Sequence, residues 1–167
     1  MGPKVLAPLF GDKRVATVNC PNFQEEDSRL LNVLHQLTEK VDEHMDNFEV
    51  NRALDTISEA LARANEHLTL LEPWRKSKSK KQSDIEVVQR SVYLTLETLR
   101  LTALLARPVL PNKMVELLNL IQVDEIDRKA AMATGLRTNF TLVKQSEKIK
   151  ILFPRIEAKE SSSEEIV

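Results

Sequence analysis

Apolar residues recur along this chain at alternating steps of three and four, in blocks separated by proline. From Glu25, the set Leu30, Leu34, Leu37, Val41 and Met45 falls on one stripe, which predicts an amphipathic helix. A second block, Phe48 to Leu71, contains neither glycine nor proline. Its stripe is Val50, Leu54, Ile57, Leu61, Ala64, Leu68 and Leu71, a coiled-coil-like spacing that predicts a helix of about 36 Å lying nearly parallel to its neighbours. Asp46 or Asn47 is placed to cap it, since a short polar side chain accepts from free helix N–H groups. Pro73 ends it.

The third block, Asp84 to Ala106, is apolar on two sides. Ile85, Val88, Val92, Leu96, Leu99 and Ala103 form one stripe, and Val87, Leu94, Leu101 and Leu105 the other. A helix patterned so belongs at the centre of a bundle. Pro108 and Pro111 interrupt the pattern, and Asn112 is placed to cap a fourth helix carrying Met114, Val115, Leu117, Leu118 and Ile121. A short helical piece is expected from Asp124 to Thr134, closed by Gly135. The period then changes: Phe140 to Val143 and Ile149 to Phe153 read as an extended or hairpin segment, with Lys144 to Lys148 as its turn. The fold class is all-α, a helix bundle with a short extended or hairpin segment near the C-terminus. Residues 1–24, with Gly2, Pro3, Pro8, Gly11 and Pro21, are expected as an irregular lead-in, 25–157 as the helical domain, and the Ser/Glu-rich 158–167 as a disordered tail.

Composition agrees with one soluble helical domain: 167 residues, 42% hydrophobic, 29% charged, and three glycines, too few for a turn-rich β protein. A formal net charge of -1 excludes a globally basic nucleic-acid binder, so any such binding must rest on a local patch. The single Cys20 excludes an internal disulfide and a cysteine-based zinc cage. No apolar run approaches the roughly 20 residues that span a bilayer. Lys4, Lys13 and Arg14 give residues 1–18 a faintly transit-peptide-like balance without an amphipathic helix.

Catalytic signatures are absent. There is no glycine-rich phosphate loop, Gly-x-Ser-x-Gly elbow or His-Glu-x-x-His, and His35, His44 and His67 share no metal-ligand spacing. Glu39, Asp42, Glu43 and Asp46 read as a solvated helix face rather than paired catalytic carboxylates. The ending Glu165-Ile166-Val167 carries no more than a generic terminal-carboxylate signal. One feature does carry chemistry. Trp74, the sole tryptophan, follows Pro73 at a helix end, and Arg75, Lys76, Lys78, Lys80 and Lys81 follow it. Such a ring either plugs the end of the bundle or offers a stacking plate to an unpaired base, with the cations attracting phosphate. The basic run alone reads as a solvated loop, a localisation signal or a phosphate-contacting arm.

The segment Asn65-Glu-His-Leu-Thr-Leu-Leu-Glu-Pro73-Trp74 resembles the Asn-x-x-hydrophobic…Pro-Trp phrase of the anticodon-binding domain of methionyl-tRNA synthetases, and Lys78 falls where a lysine commonly follows in that family. Leu104-Leu-Ala-Arg-Pro108-Val-Leu-Pro111 is similar to the family's proline break, and Ile151-Leu-Phe-Pro-Arg-Ile-Glu157 to its closing signature. These phrases stand in family order from about Leu30 to Glu157. Asp46-Asn-Phe48 followed by Ala53-Leu54 looks most like the mitochondrial form.

The resemblance implies a class I synthetase anticodon-binding bundle that recognises the anticodon stem-loop of methionine tRNA. Trp74 would stack, Arg75, Lys76 and Lys78 would meet phosphate, and Asn65 would support the helix end. The family's Asn/Arg pair four residues apart has no match here: Asn32 is followed by Gln36, and Asn51-Arg52 is wrongly spaced. The helix bearing that pair, and the catalytic Rossmann domain with its ATP and magnesium chemistry, are expected outside this chain. No cofactor is therefore expected for this segment, and Lys76-Ser-Lys-Ser-Lys80 resembles the family's catalytic lysine loop in composition alone. Expected partners are methionine tRNA and the family's own catalytic domain, with no DNA and no membrane. The implied compartment is the mitochondrial matrix, or the cytoplasm if no transit peptide directs the chain. The alternative is a helical protein-interaction module without RNA binding.

Overall fold

The computed structural model describes residues 15–128, 135–143 and 152–153. Strand β1 (Val15–Asn19) is followed by a 3-10 turn (Glu25–Asp27) and helices α1 (Ser28–Asp46), α2 (Val50–Leu71), α3 (Pro73–Lys76), α4 (Gln82–Ala106) and α5 (Pro111–Leu120). A second 3-10 turn (Glu125–Arg128) and strand β2 (Asn139–Val143) complete the order. The fold is helical with one small two-stranded sheet.

Helix α4 is the hub, as its two-sided pattern predicts. It packs against α1, α2, α3, α5 and both strands, and Val88, Val92, Tyr93, Leu94, Leu101 and Ala103 are buried along it. Leu30, Leu34, Leu37 and Val41 of α1 are buried at the predicted positions. On α2 the buried face is rotated from the expected stripe. Ala53, Ile57, Ala60, Ala64, His67 and Leu71 point inward, while Val50 and Leu61 are exposed. Three alanines on that face let the helix backbones approach closely, and larger residues at its flanks cover the seam.

Several boundaries differ from expectation. Asn47 does not start α2; it closes α1, donating from Nδ2 to the Glu43 carbonyl at 2.9 Å, and Glu49 precedes α2. Asn112 lies inside the first turn of α5, because Pro111 occupies a position where a missing N–H costs nothing. Pro73 likewise begins a one-turn helix; the residue that breaks α2 is Glu72, in the left-handed region at φ 46°.

The expected irregular lead-in contains a strand. β1 pairs antiparallel with β2 in the register Val15↔Val143 to Asn19↔Asn139. Ala16, Val18, Phe140 and Leu142 face inward, where Phe140 meets Tyr93 edge-on at 5.9 Å between ring centres. Phe140–Val143 is therefore extended as expected, with a partner from the start of the chain. The expected turn Lys144–Lys148 and most of its second arm lie outside the described residues, as do the 158–167 tail and the end of the expected 124–134 helix. Only its first turn, Glu125–Arg128, is described. Of the closing Leu-Phe-Pro-Arg phrase, Phe153 lies under the Lys113 ammonium at 5.8 Å.

Two polar clusters are sealed into this framework. Asp27, fully buried, accepts from the Gln24 backbone N–H and from His67 Nε2, both at 2.8 Å, tying the 3-10 turn to α2. Arg90 of α4 places Nε 3.2 Å from the same carboxylate. Farther along α4, Glu97 accepts from Arg100 Nε at 2.9 Å, from Arg100 Nη2 at 2.6 Å and from the Arg137 N–H at 2.9 Å. Arg100 also donates to the Gly135 carbonyl at 3.0 Å, and the Tyr93 hydroxyl donates to the Arg137 carbonyl. Gly135, at φ 78°, makes the left-handed turn into this segment. Burial pushes the Tyr93 hydroxyl pKa well up, so it serves as a donor throughout the working range. The pair on α4 thus positions the strand that carries Phe140.

Candidate nucleic-acid interface

Trp74 sits in α3, directly after the Glu72 break. Pro73 is buried against the bundle, and Trp74 is 46% exposed. Proline fixes φ for the first turn, so the backbone that carries the indole is anchored while the residue stays about half exposed. The Ser77 hydroxyl donates to the Trp74 carbonyl at 3.0 Å, and the Ser79 N–H to the Lys76 carbonyl at 2.9 Å, which folds the loop after α3 back on itself. Leu70, one turn earlier on α2, is 65% exposed.

The cations are arranged unequally. Arg75 pairs with Glu72 at 3.0 Å on the surface. Lys76, Lys78, Lys80 and Lys81 form no ion pair with a described residue, and Lys78 and Lys80 are exposed. Asn65 is exposed six residues before the end of α2, and its carbonyl accepts from the Thr69 hydroxyl at 2.9 Å. Trp74 and the cations thus share one short stretch, with Asn65 on the helix leading into it. Two of these features suit single-stranded nucleic acid: a half-exposed aromatic residue and lysines without an ion-pair partner among the described residues.

Residues 19–164 match the family described as the anticodon binding domain of methionyl tRNA ligase. The chain belongs to that family. It is 35% identical over 142 residues to the methionine–tRNA ligase of Caldanaerobacter subterraneus, covering 82% of this chain and 21% of that protein. It is 28% identical over 143 residues to the mitochondrial methionine–tRNA ligase of Xenopus laevis, covering 79% of this chain and 24% of the relative. Among solved structures, the apo methionyl-tRNA synthetase of Mycobacterium tuberculosis superposes with a TM-score of 0.79 at 27% identity. That match covers 93% of this chain and 30% of the other. The chain therefore spans about a fifth of the length of the curated relatives it matches.

Sequence reasoning missed the Asp27–His67–Arg90 cluster. A signal existed: His67 continues the Ala60, Ala64, Leu71 face of α2, a position that requires a buried partner. It also missed the polar cleft between the Asn19–Gln24 segment and the start of α4, whose run of amide side chains carries no periodicity.

Proposed function

We propose that this chain is the tRNA-binding part of a methionine–tRNA ligase and engages the anticodon stem-loop of methionine tRNA. Trp74 stacks on an unpaired anticodon base, contributing about 1–3 kcal/mol. Arg75, Lys76 and Lys78 contact the backbone phosphates, releasing counterions, and Asn65 supports the helix that presents the ring. Methionine activation with ATP and magnesium, and transfer to tRNA, belong to the catalytic domain of the intact ligase. The observation that carries the reading is a half-exposed Trp74 on an anchored turn, followed by lysines without an ion-pair partner among the described residues, in a chain of this family.

The test is binding of the chain to a methionine tRNA anticodon stem-loop, and to one with an altered anticodon, across a salt series. Affinity that falls with rising salt is expected, with a slope that shallows when Lys76 and Lys78 are replaced by alanine. Binding indifferent to salt, or no binding, rejects it. Similarity to the Xenopus laevis mitochondrial ligase and the Asp46-Asn-Phe48 phrase support the mitochondrial matrix as the compartment. A fluorescent fusion that stays in the cytoplasm would reject that assignment.

A further inference from the structure

Resting on the RNA-binding reading, we infer that the cleft between the Asn19–Gln24 segment and the first two turns of α4 holds a second nucleotide, read through its base edge. The cleft has a volume of about 430 Å³, enough for one nucleotide, and its wall is built from Asn19, Asn22, Gln82, Glu86, Gln89 and Arg90. No large apolar side chain lines it among the described residues, so it offers nothing to anchor a hydrophobic peptide side chain. Each carboxamide presents a donor pair and an acceptor on one planar group. That is the complement of a base edge, and amides bind bases bidentately for this reason.

The continuity of the basic loop with the cleft, and the amides that line it, favour an RNA strand here. The basic stretch 75–81 begins beside Trp74 and ends at Lys81, whose neighbour Gln82 lines the cleft, so one loop joins the stacking ring to the amide wall. Arg90 lines the cleft but is 8% exposed and committed to carboxylates, with Nε 3.2 Å from Asp27 Oδ2 and Nη2 3.8 Å from Glu26 Oε2, so it fixes the cleft's floor and the amides are left to meet a base. The side chains of Asn19, Asn22 and Gln89 make no hydrogen bond with any described residue and are available to a base edge. Gln82 is different, donating to Glu86 at 3.1 Å, and that pair forms the outer lip.

The experiment uses the full chain and the methionine tRNA anticodon stem-loop, comparing wild type with Asn22→Ala/Gln89→Ala and with Trp74→Ala. Both amide positions are exposed, and thermal melting checks that the variant folds. The expected result is binding about tenfold weaker in the amide variant with an unchanged salt slope, the signature of a lost base contact. In wild type, the side-chain NH₂ resonances of Asn22 and Gln89 should shift on RNA addition, a readout independent of the variant's stability. Wild-type affinity in the amide variant, with weakened binding in Trp74→Ala, overturns the cleft assignment and leaves the stacking site standing. No RNA binding by the wild-type chain overturns both.

Discussion

Two parts of α4's surroundings handle polar groups in opposite ways. Around Glu97 and Arg100, charge is sealed and matched: the two side chains are fully buried and hold Gly135 and Arg137. Around α3, Trp74 is half open and the lysines that follow have no described ion-pair partner. The first region consumes its polar groups to fix the fold, because an unpaired buried charge is ruinous. The second leaves them in solvent, which suits the phosphate contacts proposed for them. The difference separates sealed from solvated charge in a chain whose net charge is close to zero.

The largest expected effect breaks the sealed side. Glu97→Ala strips Arg100 of its carboxylate and the Arg137 N–H of its acceptor, and should cost about 3–5 kcal/mol in urea unfolding. Arg75→Ala removes a single-contact surface pair at the same three-residue spacing, and should move the same midpoint by less than about 1 kcal/mol. On the open side, Trp74→Ala should lose about 1–3 kcal/mol of stem-loop affinity while moving the unfolding midpoint far less than Glu97→Ala does. If Trp74→Ala instead unfolds the chain as severely as Glu97→Ala, the ring belongs to the structural class.

Smaller effects lie at the α1–α2 corner. Phe48 is 92% exposed and held at φ 58°, a left-handed conformation that costs a side-chain-bearing residue about 1–2 kcal/mol. Phe48→Gly relieves that strain at some cost in backbone entropy, so a gain of about 0.5–1 kcal/mol in chemical denaturation is expected. Beside it, the His44 ring donates to Glu49 at 2.9 Å, and with the Arg52 charge it holds the Glu49 carboxyl below its ordinary 4.5. A depressed carboxyl stabilises above its unfolded pKa, and the benefit disappears as pH falls through the folded value. Glu49→Gln should therefore lower stability near neutrality, flatten the stability curve below about pH 4.5 and converge with wild type in acid.

The helices were legible because their stripes are local. Two-sided patterning put α4 at the centre, and Leu30 to Val41 named the buried face of α1 correctly. What escaped depends on distant partners. Val15 pairs with Val143 across almost the whole chain, and five residues after a glycine- and proline-rich start do not announce a strand. His67 is buried because Asp27 waits forty positions earlier. Cap assignments failed where a polar residue competed with a neighbouring proline, as Asn112 did with Pro111. At the candidate interface, the Pro-Trp phrase and its lysines were visible in sequence, while the amide cleft exists only once β1's outgoing segment lies beside α4.

Trp74 is the sole tryptophan, so its fluorescence reports on the proposed stacking site without any label. Titrating the methionine tRNA anticodon stem-loop into the chain at low salt should quench that emission saturably, and added salt should restore it. Stem-loop binding seen by an independent method, with the indole emission unmoved, would contradict the account.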